Sequence, residues 1–507
     1  MRATDLLLEP VKQYRQSINS PYRRKDLISI LGTLFILLAL PLTVFVATKV
    51  RPWGPRAAGT AAAPTNIGSV IEPGSMVSEA NYIIFVDGTN YYARNGKTGE
   101  IQFSGSIDAT PVIQAAIDAL PATGGKVVLT EGTFTLSKTI VLGSTGTTIE
   151  GQGYATFIQF NGDTGVGEAA IGHKNGTASR TVTGATVKNL RVKNTGITKN
   201  VHAVWIGDNI YVPQNITIDH VEAENCSLMI LGGSHHRIEH SYVHDITVTA
   251  IARAIAIGGY LGVWAKDSII ADNIIENVPD VGILPAEIDS LVIASNRLKK
   301  CSQTTPSFAI DVSNSTNVII TGNSIESKDG ILSENADAGT VQITDNTIKG
   351  TGLDGGAGIQ VWRHPDSGPT GPQADRILIS GNTVHNAHFG IYVAGEDIVS
   401  IVGNLVEDVG QPGIAVDGTW GIDFSDILIS GNTVIRWARN NAYAPGISVS
   451  SANAFITGNY LDQENYNSGR GITSVDNPGW IINNTIRNCA GERLYDIEAG
   501  VVNEHNY

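Results

Sequence analysis

The chain is 507 residues long and 42% hydrophobic, and its 48 acidic against 34 basic residues give a formal net charge of −14. That acidity excludes a general nucleic-acid ligand, which needs a basic face. The charge is unevenly divided: residues 1–56 carry nine basic and three acidic residues, net +6, so the remaining 451 carry 25 and 45, net −20.

Residues 1–26 are polar and basic, with Arg2, Lys12, Arg15, Arg23, Arg24 and Lys25. Leu27–Thr48 is an uncharged run of 22 residues, about 33 Å as a helix and long enough to cross a bilayer. Pro41 in its middle is tolerated in a membrane helix. A cleaved signal peptide would have a shorter apolar region with small residues close behind it. The expectation is therefore a retained single-pass anchor in the cell membrane, with residues 27–48 in the lipid bilayer. The basic excess before it places 1–26 in the cytoplasm. Residues 49–80, rich in Pro, Gly, Ala, Ser and Thr, read as a flexible linker, and residues 81–507 would then lie outside the cell.

Residues 81–107 alternate in the manner of a β-hairpin or small meander, around Asp87-Gly88-Thr89-Asn90 and a second turn at Asn95–Gly99. A short helix comes next. Thr110 can cap it and Pro111 suits its first position, while Ile113, Ala116, Ile117 and Leu120 make one apolar stripe. That stripe would cover the open end of the first coil.

From there the chain repeats. VIITGNSIES from Val318, VQITDNTIKG from Val341, ILISGNTVHN from Ile377, ILISGNTVIR from Ile427 and AFITGNYLDQ from Ala454 share one alternation. Aligned on it, Leu190, Val221, Ser241, Asn273, Asn296, Asn323, Asn346, Asn382, Asn404, Asn432, Asn459 and Asn484 fall in one column. The mean spacing of about 27 residues lies in the range of solenoids. A second phrase lies between copies of the first: AIAI from Ala254, AIDV from Ala309, GIQV from Gly358, GIYV from Gly390, GIAV from Gly413 and GISV from Gly446. Both phrases are β-branched with period two, so each coil is all β. Asn suits a left-handed corner, and stacked Asn amides about 4.8 Å apart can bond from coil to coil.

Cys226, Cys301 and Cys489 each fall five residues after their column position, in the second, fifth and twelfth rungs. Rungs so far apart cannot bring Cα atoms within the roughly 7 Å that a disulfide needs. Three buried free thiols, used as small core residues, are expected. Past each rung's last aliphatic, Lys193, Glu224, His244, Glu276, Lys299, Glu326, Lys349, His385 and Glu407 nearly alternate in sign, which reads as an ion-pair ladder on a solvated face.

These repeats resemble those of right-handed parallel β-helix proteins of the pectin-lyase-like superfamily. The segment Asp108–Leu142 with Gly151–Gly153 resembles the start of the pectate-lyase-3, or rhamnogalacturonase/epimerase-like, group. The implied architecture is an all-β right-handed parallel β-helix of about 12 coils over 108–507, with an N-terminal capping helix and a single transmembrane helix before it. The resemblance places the groove along the sheet of the second phrase. On that face Asp311, Glu334, Gln360, Trp362, Tyr392 and Asp417 point outward, and nearby loops supply Asp354, Arg363, His364 and His388.

Aromatic rings beside carboxylates suit a polysaccharide. Carboxylates on adjacent or alternate coils approach the separations of retaining and inverting glycosidases. A lyase would need a base such as Arg363 opposite carboxylates that hold Ca²⁺. On this reading Asp311, Glu334, Asp354, Arg363 and His364 are catalytic, and Gln360, Trp362, His388, Tyr392 and Asp417 bind substrate. The negative charge favours a neutral glycan, or an acidic one bridged by Ca²⁺. The strings Asn-Thr-Asp and Gly-His-Gly of polygalacturonases do not occur, and Arg363-His364-Pro365-Asp366 reverses the Asp-Pro-His of uronan epimerases. The expected function is a membrane-anchored extracellular lyase or glycosidase, with a non-catalytic glycan-binding or adhesive protein as the alternative. A separate cluster, His220, His235, His236 and His240, puts His220 and His240 in one column with Asp272 next in line, a spacing open to Zn²⁺.

Overall fold

The computed structural model describes residues 79–143, 145–161, 168–172, 181–196, 201–208, 210–247, 253–259, 262–303, 307–334, 339–362, 376–395, 398–418, 426–441, 443–450, 454–464, 469–475, 479–489, 494–495 and 502–504. The chain winds into a parallel β-helix most of whose coils give three short strands to three sheets; in Thr186–Asn194 and Thr217–Glu224 the strands of the first two sheets run on as one. The first sheet runs through Gly125–Leu129, Thr316–Thr321, Arg376–Ser380 and Asp426–Ser430. The second runs through Gly132–Leu136, Ser324–Ser327, Thr383–His385 and Thr433–Ile435. The third stacks 14 strands, among them Ile310–Ser313, Ile331–Glu334, Ala357–Trp362, Phe389–Ala394 and Ile414–Asp417. Pairing along all three is parallel and nearly free of slips, as in Ile377↔Val399 and Ile391↔Ile414. A slip by one residue would turn Val, Ile and Leu from the core to solvent, so the β-branched alternation fixes this register.

At the N-terminal end Tyr82–Asp87, Asn90–Asn95 and Ile101–Ser106 form an antiparallel meander, and the first of them pairs in parallel with Gly125–Leu129. The helix Thr110–Asp118 buries Val112, Ile113, Ala116 and Ile117. Thr110 does not cap it. Asp108 Oδ1 instead accepts from the Thr110 N–H at 2.9 Å, and Thr110 Oγ1 accepts from the Ser137 N–H at 3.1 Å.

No helix among the described residues is long and apolar enough to cross a membrane. Thr110–Asp118, the one α-helix among them, has nine residues. This corrects the expected transmembrane helix over 27–48 and the single-pass, cell-membrane placement drawn from it. That stretch, like 1–26 and 49–78, lies outside the described residues.

The asparagine column is a continuous buried ladder. Asn273, Asn296, Asn323, Asn346, Asn382, Asn404, Asn432, Asn459 and Asn484 are each at most 1% exposed. Each Nδ2 before the last donates to the next Oδ1 at 2.9–3.0 Å. The same Oδ1 takes the preceding Asn backbone N–H, and each Nδ2 also reaches a strand carbonyl, as in Asn346 to Ile320 at 2.9 Å. Nearly every lone pair and proton is thus used, which is what a buried amide requires. The left-handed corner, however, is not at the Asn. It sits one residue earlier, at Asp272, Ser295, Gly322, Asp345, Gly381, Gly403, Gly431, Gly458 and Asn483, all with φ between 55° and 66°. The corner turns the chain, and the Asn behind it points inward to bond along the axis.

No disulfide joins the three cysteines; Cys226 and Cys301 are buried and Cys489 partly so. Burial pushes the Cys226 thiol up strongly and that of Cys301 to about 12. Unfolding without reductant is expected to expose three titratable thiols to a chromogenic disulfide reagent, whereas a count of one would mean a bridge. The charged face also carries its ladder. Glu224 takes Lys193 at 2.6 Å and Arg191 at 2.5 Å, and Arg436 bridges Asp408 at 2.8 Å, Glu464 at 2.6 Å and Glu407.

Candidate functional site

The outer face of the third sheet changes character along the axis. In its N-terminal half Trp205, Met229 and Ala256 stand in register and join Leu231 in a small apolar cluster of their own. In its C-terminal half the outward positions turn polar and fall into two columns. One runs Asp311, Leu332, Gln360, Tyr392, Ala415 and Ser448; the other runs Ser313, Glu334, Trp362, Ala394, Asp417 and Ser450. Asp311 and Glu334 are therefore diagonal neighbours rather than directly opposed. The Ser313 hydroxyl joins them, 3.3 Å from Asp311 Oδ1 and 3.0 Å from Glu334 Oε1. Burial, the Glu334 carboxylate and, more weakly, Asp280 push Asp311 up to about 6, against the hydrogen bond from Ser313.

Beyond these carboxylates lies a cleft of about 490 Å³, lined by Gln360, His388, Phe389, Tyr392, Asp417 and Ser450 among others. The glycines that open the strands beside it leave no room for a side chain. A Cβ at Gly390 would stand 2.2 Å from the Gly413 carbonyl oxygen and 2.4 Å from Val406. Such contact keeps neighbouring coils close and the aromatic rings in line. Phe389 and Tyr392 lie 5.6 Å apart between centroids, and His388 meets Phe389 edge-on at 5.0 Å. Asp417 Oδ2 accepts the Tyr392 hydroxyl at 3.4 Å and Oδ1 accepts the Ser450 hydroxyl at 2.8 Å. Burial and the neighbouring carboxylate push the Tyr392 phenol up to about 12, so it stays neutral and serves as a donor. His388 Nδ1 lies 2.5 Å from the Leu353 carbonyl oxygen. A carbonyl only accepts, which assigns the proton to Nδ1 and leaves the lone pair on Nε2.

The structure thus brings together four of the predicted residues, Gln360, His388, Tyr392 and Asp417, in one cleft, and pairs Asp311 with Glu334 farther up the sheet. Trp362 stands in register with Glu334. Asp354 is exposed at the rim, where it accepts from Asn440 Nδ2 at 3.2 Å. Arg363 and His364 lie outside the described residues. Reasoning from sequence missed Phe389, Ser450 and Asp280. Ser450 follows Gly446 by four residues, as Asp417 follows Gly413, so the repeat held that signal; Asp280 lies just ahead of its strand Val281–Ile283, outside the repeated phrase. As for a cation, Asp311, Glu334 and Asp280 offer the oxygen donors Ca²⁺ prefers. The tight groups of three ligating side chains among the described residues lie elsewhere, at Asp219, His220, His240 and at Glu222, Glu224, His244.

Three stacked parallel sheets with a polar cleft on one outer face define a parallel β-helix. The family description "right handed beta helix region" matches residues 209–370 and 370–506, more than half of the chain, and the chain belongs to that family. No curated protein matches it in sequence. Among solved structures it is similar to the mannuronan C-5 epimerase AlgE6 A-module of Azotobacter vinelandii, at 15% identity over 79% of this chain and 95% of that one, with a TM-score of 0.48. It is also similar to the DFA-IIIase of Arthrobacter chlorophenolicus A6, at 12% over 73% and 92% with 0.41. The surface adhesin PfbA of Streptococcus pneumoniae gives 15% over 76% and 90% with 0.40. At such identities a likeness concerns the coil and says nothing of the chemistry.

Proposed function

We propose that the C-terminal half of the third sheet binds a glycan and that the protein is a polysaccharide-active enzyme, most like a lyase or glycosidase. The observation that carries this reading is the cleft itself, where Phe389 and Tyr392 offer ring faces while Asp417, Gln360 and His388 offer polar groups. Concave, partly apolar surfaces with a few convergent polar groups are where ligands bind. Asp311 and Tyr392 are three coils apart, about 14 Å at the spacing of neighbouring strands. A ligand that touches both must be a polymer lying along the axis. Asp311, held near 6, can be protonated close to neutral pH and act as general acid. Glu334 beside it supplies a carboxylate, and His388 Nε2 supplies a base within the cleft.

The second reading is a glycan-binding protein without turnover. It is favoured by Asp417, whose two oxygens are held by Tyr392 and Ser450 in the manner of a group that orients a sugar hydroxyl. The test is incubation of the protein with a panel of neutral and acidic polysaccharides, with and without Ca²⁺, following reducing ends and the absorbance of unsaturated products. Reducing ends alone indicate hydrolysis, and both together indicate elimination. Binding to one polysaccharide with neither product would select the second reading, and no binding at all would overturn both.

A further inference from the structure

We infer that Asp219, His220 and His240, with Asp272 beside them, form a binding site for a divalent transition-metal ion such as Zn²⁺. The ligating atoms of the first three lie within 4.8 Å of one another. His220 Nδ1 is 2.7 Å and His240 Nδ1 2.9 Å from the same oxygen, Asp219 Oδ1. The two imidazoles stack with centroids 4.8 Å apart and planes 20° from parallel. On its far side the His240 ring faces Asp272, with 3.9 Å between Nε2 and Oδ2. Zinc bonds of 2.0–2.2 Å at tetrahedral angles set ligand atoms about 3.3 Å apart. Each imidazole nitrogen needs to move from Asp219 Oδ1 by only about half an ångström to reach that spacing. The rings are free to do so, since His220 and His240 are nearly half exposed.

The backbone does not explain these histidines. Both occupy the left-handed corner, with φ of 52° and 49°. Later coils fill that corner with Asp272, Ser295, Gly322, Asp345 or Gly381, small residues that adopt it at least as readily. The turn does not require an imidazole in either coil. What the two imidazoles add is a pair of nitrogen donors aimed at one carboxylate, the N/N/O set that zinc and its neighbours take. The position also fits a structural role. The asparagine ladder begins at Asn273, and in the coils before it the same column holds Leu190, Val221 and Ser241. An ion at Asp219, His220 and His240 would tie two of those coils together from outside, just where the internal amide ladder has ended. The neighbouring group Glu222, Glu224 and His244 is a weaker choice. Arg191 lies 3.2 Å from Glu222 and 2.5 Å from Glu224, with Lys193 at 2.6 Å, so its negative charge is already met.

The test uses the full chain and Zn²⁺ alone, with calorimetric titration and thermal unfolding with and without the ion. The double variant His220→Asn, His240→Asn keeps a residue that tolerates the corner, as Asn189 and Asn483 do, so its metal-free melting temperature should match the parent. The expected result is loss of one equivalent of Zn²⁺ or at least tenfold weaker binding, and loss of the zinc-dependent rise in melting temperature. Asp219→Asn should weaken binding in the same direction, whereas His235→Asn should leave it unchanged. Retention of the same stoichiometry and affinity in the double variant would overturn the inference. So would loss of the zinc equivalent on Glu222→Gln, with His220 and His240 intact.

Discussion

Asp311→Asn is expected to lower turnover of a cleaved polysaccharide by about 10²–10⁴-fold, the usual share of a general acid, while leaving affinity nearly unchanged. Burial and Glu334 raise the Asp311 carboxyl to about 6, so the parent's activity should fall as pH rises through about 6 and the acid loses its proton. The same shift makes a stability claim of opposite benefit. Between the ordinary carboxylate value of 3.8 and about 6 the folded chain holds this proton more firmly than the unfolded one. The stabilisation is therefore complete below the lower value and lost as pH rises through the upper one. An amide at that position carries no charge to bury, so Asp311→Asn should melt at a higher temperature than the parent at pH 8 and at a similar one at pH 4. Tyr392→Ala should divide the effects the other way, weakening binding by up to about tenfold through lost stacking with a smaller change in rate. Unchanged turnover in Asp311→Asn would remove it from the chemistry.

Asn346→Ala is expected to be the most damaging single change in the core, at about 3–5 kcal/mol by denaturant titration. Removing the amide takes the acceptor from both the Asn323 N–H and Asn323 Nδ2, at 2.9 Å each, and the donor from Asn382 Oδ1 and the Ile320 carbonyl. Water cannot enter to replace them, because Asn323, Asn346 and Asn382 are all at most 1% exposed. Yet Leu190 and Val221 serve in the same column with no amide at all. The penalty comes from breaking a ladder in its middle. A change below about 1 kcal/mol would mean that neighbouring amides can re-pair across the gap.

The column of Asn273 to Asn484 was legible because the same residue returns at the same place in nine coils, and no alternative packing satisfies a buried amide so regularly. Its corner was misplaced by one residue, since Asn, Asp, Ser and Gly all tolerate a left-handed backbone and composition does not say which of two adjacent positions turns. The site was half legible for a similar reason. Period two shows that Asp311 and Glu334 both face outward, but two outward columns share that parity. Asp311 follows Ala309 by two residues and Glu334 follows Gly330 by four, so only strand register reveals them as diagonal. Phe389 stands ahead of the repeated phrase, where no pattern marks it. Hydropathy over 27–48 described an apolar length and carried the expectation past what a length can establish.

The intervals between ladder asparagines are unequal: 23, 27, 23, 36, 22, 28, 27 and 25 residues in order. The amide contacts across those same intervals stay at 2.9–3.0 Å. Every turn of the chain, whatever its contour length, is recounted at its asparagine and starts the next turn in frame. A miscount in one loop is therefore not passed on, unlike a shift in a hairpin, which displaces every residue beyond it. Insertions and deletions between rungs are thus invisible to the rungs on either side. Segments flanking the third sheet can lengthen, shorten or be exchanged one at a time, so a binding surface on that face can be rewritten by gene-level edits while the scaffold beneath it keeps its register.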